Sequence, residues 1–197
     1  LKIYLFAMLL VIIAIQWNNV SWLFNYREME GIVENITNPN AYVVAKADVE
    51  SKDTENSYIS IPSLDVTAPM VMSKAKDDLA MTKDLDKGAV HFINSALPGQ
   101  KGNMLILGHS APPNWPKVKY DWVFSNIQDL KPGEEIIFYF KGKKFVYEVV
   151  REEIIQKGEE IHLDKSELDS SMVTIISCWP PGKDYKRIAV YAKFTGN

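Results

Sequence analysis

The feature that most constrains the fold is a series of short strand-like runs that begins at Tyr58 and continues almost to the end of the chain. The runs are rich in β-branched and aromatic residues and are separated by Gly, Pro, Asn and Asp, a pattern typical of strands joined by turns. In EEIIFYFKGKKFVYEVV, two such runs flank Lys141-Gly142-Lys143, which predicts a hairpin with a short turn. The others are YISIPSLDVTAPMV, NMLILGHS, MVTIISC and RIAVYAKF. Many short strands with few helices predict an all-β fold, a closed or nearly closed β-barrel.

Helical segments are expected to be short and few. One candidate is KAKDDLAMTKDL, residues 74–85. The other is YDWVFSNIQDL, residues 120–130, where Val123, Ile127 and Leu130 fall at helical spacing. We therefore expect one or two short helices beside the barrel.

The N-terminal segment LKIYLFAMLLVIIAIQW is apolar apart from Lys2, and apolar residues resume at VSWLF. Its length is close to that needed to cross a bilayer as a helix. No Ala-x-Ala-like cleavage site follows, so we favour an uncleaved transmembrane helix over a cleavable signal peptide. The predicted organisation is a transmembrane anchor at 1–24, a polar extracytoplasmic stalk or linker at 25–57, and a β-domain at 58–197.

Composition excludes some classes of function. The formal net charge is -3 and no Lys/Arg-rich block occurs, whereas a nucleic-acid surface needs concentrated positive charge. The chain has one cysteine, Cys178, so neither an intramolecular disulfide nor a cysteine-based metal cluster can form, and we expect no metal and no cofactor. Cys178 is then either a buried small side chain or a free reactive thiol.

Three residues of the types needed for acyl transfer stand at the ends of predicted strands. Cys178 ends TIISC, and Arg187 opens RIAVYA nine positions later, after the loop WPPGKDYK. If these strands are antiparallel neighbours, both residues lie at one rim of the sheet. His109 likewise follows the strand NMLILG and precedes a proline-rich loop. A thiol nucleophile, an imidazole and a guanidinium could therefore meet there, although spacing alone leaves that meeting open.

These segments resemble the sortases, membrane-anchored cysteine transpeptidases of bacterial surfaces. The resemblance rests on TIISC, on KRIAVYA with its arginine, on LILGH, and on GAVHFINSALPGQKGN upstream. The family pattern before the cysteine is Thr-Leu-x-Thr-Cys, and residues 174–178 occupy those places. The similarity covers residues from about 58 to 194, and it implies the eight-stranded sortase barrel with an N-terminal transmembrane helix.

The resemblance also implies roles for individual residues. Cys178 would attack a peptide carbonyl and form a thioacyl-enzyme, His109 would exchange protons with the leaving and incoming amines, and Arg187 would hydrogen-bond the oxyanion. Ser177, Trp179 and Ser110, which neighbour these residues, are expected to contact the substrate.

The implied partners are surface proteins with a C-terminal sorting signal and an amine acceptor, either a peptidoglycan precursor or a pilin lysine. The implied location is the cell membrane, with a single N-terminal span and the catalytic domain on the outer side.

The sequence also departs from the family pattern. Ser177 stands where threonine is usual but keeps the hydroxyl, and the loop SAPPNWPKVKYDWVF after His109 differs from the shorter polar run of many members. The WPPG segment favours the smaller, class D/E-like branch. Two alternatives remain open: a membrane-tethered cysteine peptidase that mainly hydrolyses, and a non-catalytic surface β-barrel that binds a partner. An L,D-transpeptidase is disfavoured because its Ser-x-Gly-Cys environment is absent.

Overall fold

The described part of the chain, in a computed structural model, comprises residues 2–15, 57–75, 77–113, 115, 117 and 120–196. Its first element is helix α1, Lys2–Ile15. Within these ranges, no helix combines the length and apolar character required to cross a bilayer. Residues 16–24 of the predicted anchor and 25–56 of the predicted stalk lie outside the described residues, and both the anchor and the stalk stay predictions.

The remaining elements build an eight-stranded closed barrel, as the sequence predicts. The strands are β1 (Tyr58–Ile61), β2 (Val66–Met72), β3 (Ala89–His91), β4 (Gly102–Leu107), β5 (Glu135–Phe140), β6 (Lys143–Gln156), β7 (Ser171–Trp179) and β8 (Lys186–Gly196). Two helices lie between strands, α2 (Asp78–Leu85) and α3 (Lys165–Leu168). The barrel order is β1-β2-β3-β4-β7-β8-β6-β5, with parallel pairing only for β2 with β3 and β4 with β7 among the described strands.

The predicted hairpin is present between β5 and β6. Lys141 and Gly142 form its two-residue turn with φ of 51° and 71°, the left-handed pair that matches the twist of the flanking strands. The pairing runs from Phe140 opposite Lys143 to Glu135 opposite Glu148. This hairpin forms one wall of the barrel, opposite in strand order to β3 and β4.

Strand alternation separates the barrel interior from its outer face. The main core fills the interior and includes Met104, Phe138, Tyr147 and Ile175, all fully buried. A smaller cluster on the outer face of β6, β7 and β8 comprises Ile155, Met172, Ala189 and Tyr191. The side chains of β7 therefore alternate between the barrel interior and this outer cluster.

The helix predicted at 74–85 is confirmed as α2, which begins after Asp77, whose carboxylate accepts a hydrogen bond from the Ala80 amide at 2.8 Å. The helix predicted at 120–130 is wrong: this stretch consists of turns and a short 3-10 helix, Ile127–Asp129. Tyr120 has a left-handed φ of 56°, and the Phe124 amide donates to the His109 carbonyl at 2.9 Å. Tertiary hydrogen bonding to the loop after β4 thus replaces the helical ladder.

Candidate active site

Cys178 and Arg187 lie directly opposite each other on neighbouring antiparallel strands. β7 pairs with β8, and the register places Cys178 against Arg187. Paired residues of antiparallel strands project from the same face, and here that face is the outer one, at the end of the strands. Cys178 is half-buried and Arg187 is 23% exposed. The two strand ends predicted to share a rim therefore do so.

His109 reaches the same rim through the parallel pairing of β4 with β7. The last paired residues are Leu107 and Ile176, so two further residues on each strand bring His109 beside Cys178. His109 follows the end of β4 on a segment that is still held to β7, because the Gly108 amide donates to the Ile176 carbonyl at 3.1 Å. The three sequence-predicted catalytic residues thus converge on one end of the barrel.

Side-chain hydrogen bonds on both sides of His109 fix the turn that carries it. The Ser177 hydroxyl donates to the Gly108 carbonyl at 2.7 Å, and the Ser110 hydroxyl donates to the Cys178 carbonyl at 2.9 Å. Each serine therefore ties the chain next to His109 to the chain next to Cys178. These two bonds therefore help to fix the backbone of His109 relative to that of Cys178.

Close packing further restricts the same turn. A Cβ at Gly108 would lie 2.2 Å from the Phe124 ring, so only glycine fits there. A Cβ at Gly182, in the β7–β8 loop, would lie 2.4 Å from Pro112, and Gly182 has a φ of 74°. The Gly182 amide also donates to the Ser110 carbonyl at 3.0 Å. The loops after β4 and β7 are therefore packed directly against each other.

The Cys178 thiol stands in a partly desolvated position near both charges of an ion pair. Burial raises the pKa of the Cys178 thiol, Arg187 lowers it, and Asp184 raises it again. The thiol lies 3.8 Å from Asp184 Oδ1, a contact in which the thiol donates to the carboxylate. The free protein therefore holds Cys178 largely as the neutral thiol near pH 7.

Asp184 links Arg187 to a second cation. Its Oδ1 accepts from the Arg187 guanidinium at 2.7 Å, and its Oδ2 pairs with the Lys157 ammonium group at the end of β6. Hydrogen bonds from Lys157 and Arg187 hold the pKa of Asp184 below its ordinary value. Arg187 also donates to the Lys186 carbonyl at 2.9 Å.

The His109 imidazole faces two carboxylates. Its Nε2 lies 3.6 Å from Asp86 Oδ1 and 4.0 Å from Asp121 Oδ1, and it is buried without a hydrogen-bond partner among the described residues. The ligand atoms of the three residues lie within 4.8 Å of one another, a spacing that a metal ion could use.

The residues predicted to contact substrate have defined places at this rim. Ser177 is 2% exposed and faces the barrel interior, where its hydroxyl is used by Gly108. Ser110 is half-buried and its hydroxyl is used by Cys178. Trp179 packs against the main core from the end of β7, and its peptide bond with Pro180 is cis.

A cavity of about 200 Å³ opens beside the loop that follows His109. Its walls are largely apolar and come from the start of β2, residues 111–113, 115 and 117, the turns at 122–128 and the β7–β8 loop. The lining residues include Val66, Pro112, Trp115, Trp122 and Pro181. The long proline-rich loop noted in the sequence therefore forms a recess next to the catalytic rim.

Sequence reasoning missed the three acidic residues of this site. Asp184 lies in the WPPGKDYK loop, Asp86 follows α2, and Asp121 lies in the turns that were predicted to be helical. Isolated acidic residues in loops show no periodicity, so no signal in one sequence distinguishes them from solvated surface charges.

The family model described as Sortase domain matches residues 59–195. Sortase D of Bacillus subtilis (strain 168) is 24% identical over 141 residues, which cover 70% of this chain and 63% of that protein. Sortase A of Bacillus anthracis is 27% identical over 151 residues, which cover 76% of this chain and 65% of that protein. The chain thus spans less than two thirds of the length of both curated relatives.

Solved structures share the fold. Sortase A from Corynebacterium diphtheriae superposes with a TM-score of 0.56 at 24% identity, covering 74% of this chain and 62% of that chain. Sortase C of Clostridium perfringens, solved with the C-terminal cell wall sorting motif, gives a TM-score of 0.56 at 24% identity, covering 71% and 70% of the two chains.

Proposed function

Because this chain belongs to the sortase family, we propose that it is a cysteine transpeptidase that cleaves a sorting signal of surface proteins and joins the new carboxyl end to an amine of the cell envelope. The observation that carries the proposal is the convergence of Cys178, paired with Arg187, and His109 at one end of the barrel. A thiol, an imidazole and a guanidinium on one exposed rim are the groups that acyl transfer through a thioester requires.

In the first half-reaction, the Cys178 sulfur attacks the carbonyl carbon of the scissile peptide bond. The resulting oxyanion is hydrogen-bonded by the Arg187 guanidinium, whose fork geometry suits an oxygen with two lone pairs. His109 gives a proton to the leaving amine as the C–N bond breaks. The products are a thioester on Cys178 and a peptide with a free amino terminus.

In the second half-reaction, the acceptor amine attacks the thioester carbon. His109 takes the proton that the amine loses, and the sulfur leaves as the new amide bond forms. Water at this step would give a free acid instead, which is the hydrolytic alternative. A peptide and an amine are therefore consumed, and one amide bond replaces another.

The surroundings of Cys178 and His109 support this division of roles. The carboxylates of Asp86 and Asp121 lie 3.6 Å and 4.0 Å from His109 Nε2, close enough to restrict the orientation of the imidazole. Burial raises the pKa of the Cys178 thiol, so the thiol rather than the thiolate predominates in the free protein near pH 7.

We assign Ser177 and Ser110 to positioning, in place of the substrate contacts that the sequence predicts. Both hydroxyls donate to backbone carbonyls of the catalytic segments. Trp179 stays a proposed substrate neighbour because it adjoins Cys178 at the rim. The cavity beside the loop 111–117 is a proposed site for the part of the peptide that flanks the scissile bond.

The proposed setting is the cell membrane, with the segment 1–24 as anchor and the barrel on the outer side. Proposed partners are surface proteins that carry a C-terminal sorting signal and, as acceptor, a peptidoglycan precursor amine or a pilin lysine. The branch nearest to this chain is proposed to be the smaller, class D/E-like one.

Mass spectrometry of reactions between the full chain, a sorting-signal peptide library and an amine tests the proposal. We expect an amine-joined product that is lost in Cys178→Ala and His109→Gln but kept in His162→Gln, which removes a histidine of the β6–α3 segment. Arg187→Lys should lower the rate roughly 100-fold, since it removes the fork of donors. A product that is always the free acid would support the hydrolytic alternative, and unchanged activity in Cys178→Ala would refute both.

A further inference from the structure

One carboxylate oxygen contacts both groups that the proposed mechanism needs to be free. Asp184 Oδ1 lies 2.7 Å from the Arg187 guanidinium and 3.8 Å from the Cys178 sulfur. No other described acidic group forms an ion pair with Arg187. Asp184 Oδ1 therefore accepts a hydrogen bond from the guanidinium group that a substrate oxyanion would need.

The physical consequence is competition. A carboxylate oxygen forms a charge-assisted hydrogen bond with a guanidinium, which is stronger than the bond a neutral peptide carbonyl forms. The same negative charge next to Cys178 disfavours formation of the thiolate. Asp184 thus opposes both substrate binding at Arg187 and activation of Cys178.

We propose that Asp184 caps the active site in the free enzyme, so that the substrate must displace its carboxylate from Arg187 before Cys178 can react. The proposal rests on the roles given above to Cys178 and Arg187. In this proposal, the contact between Asp184 of the β7–β8 loop and Arg187 regulates the active site.

The structure also provides a place for the displaced carboxylate. Asp184 is 58% exposed, and its second oxygen already pairs with Lys157. When Arg187 turns to the substrate, Lys157 keeps the Asp184 charge compensated. Release therefore requires no burial of an unpaired charge, and the cap can open without unfolding the loop.

The first test needs no substrate. Cys178 is the only cysteine, so alkylation by iodoacetamide of the full chain in detergent solution reports on this thiol alone. Asp184→Asn should raise the alkylation rate at pH 7 roughly threefold to tenfold, because a negative charge next to the thiol is removed. Asp184→Glu, which keeps the charge, should stay close to wild type.

Asp169→Asn is the matched control. Asp169 is similarly exposed, at 60%, and is paired with Lys101 at 2.9 Å near the opposite end of β7. The substitution changes the net charge equally but should leave the alkylation rate unchanged. Thermal melting of the Asp184 and Asp169 variants checks that each one folds.

The second test separates capping from mere positioning of Arg187. If Asp184 competes with substrate, Asp184→Asn lowers KM for the peptide, and this effect disappears in an Arg187→Gln background. If Asp184 only orients Arg187, Asp184→Asn raises KM or lowers kcat, which would overturn the proposal.

Equal alkylation rates in wild type, Asp184→Asn and Asp169→Asn would also overturn it. A failure of the proposed transpeptidase activity is distinguishable, because alkylation would still respond to Asp184 while no joined peptide formed with any variant.

Discussion

The hydroxyl of Ser177 connects the stability of the barrel to the geometry of its active site. Ser177→Ala removes a 2.7 Å hydrogen bond from a side chain that is 2% exposed and leaves the Gly108 carbonyl without this donor. Losing a buried neutral hydrogen bond and leaving its acceptor unsatisfied costs about 1–2 kcal/mol of unfolding free energy. For a domain of this size, that corresponds to a fall in Tm of roughly 3–8 °C.

The same substitution should reduce activity more than stability alone explains. Gly108 directly precedes His109, so weakening its attachment to β7 lets the imidazole drift from Cys178. We expect kcat to fall about 10-fold or more with little change in KM, because a small misplacement of a catalytic group is felt mainly in the transition state. Circular dichroism melting and steady-state assays of the same preparation measure both effects.

Ser177→Thr is the control, since it keeps the hydroxyl and adds one methyl group. It should retain most of the stability and the rate. A Ser177→Ala variant that keeps wild-type kcat and loses only stability would refute the argument that this bond positions His109. A Ser177→Ala variant in which KM rises and kcat stays unchanged would favour direct contact between Ser177 and the substrate.

Two further substitutions and one titration of the unchanged protein test other parts of the structure. Tyr147→Phe removes a fully buried hydroxyl that accepts from the Gly99 amide at 2.8 Å, and urea unfolding should show a loss of about 1–2 kcal/mol; no loss would mean that water replaces the hydroxyl. Asp86→Asn removes the charge of a carboxylate that lies 3.6 Å from His109 Nε2, so the maximal rate should fall several-fold in steady-state assays; an unchanged rate would contradict a part for Asp86 in holding the imidazole. Because burial raises the pKa of Cys178, the pH midpoint of its alkylation should lie above that of a cysteine in an unstructured peptide; a lower midpoint would contradict the described surroundings.

The barrel and the pairing of Cys178 with Arg187 could be predicted from the sequence because the signals for both are local. Strand alternation and turn residues are short-range signals, and a loop too rich in proline to continue either strand places the two residues at one rim. The loop after β4 was harder, because parallel strands are joined through distant chain segments. Its position at a strand end allowed His109 to meet Cys178 and Arg187 but left that meeting open, and the family resemblance then supplied the expectation.

The wrong helix at 120–130 and the missed residue Asp184 have a common physical cause. The apolar residues at 120–130 recur at helical spacing, but Trp122, Val123 and Phe124 are all buried, and the Phe124 amide bonds to the His109 carbonyl. Tertiary contacts therefore decided a segment that local periodicity assigned to a helix. The role proposed for Asp184 could not be predicted for the same reason. It depends on the fold of the β7–β8 loop, which brings the carboxylate to Cys178 and Arg187.

Strand β7 connects the three proposed catalytic residues. Its parallel neighbour β4 delivers His109, its antiparallel neighbour β8 delivers Arg187, and its own end carries Cys178. A one-residue slip of β7 would turn Cys178 into the core and expose Ser177, so the reactive geometry exists only in the register that also buries Val173 and Ile175. Substitutions that loosen the β4–β7 pairing should therefore lower activity and stability together, whereas substitutions at Asp184 should change reactivity while the melting temperature stays constant.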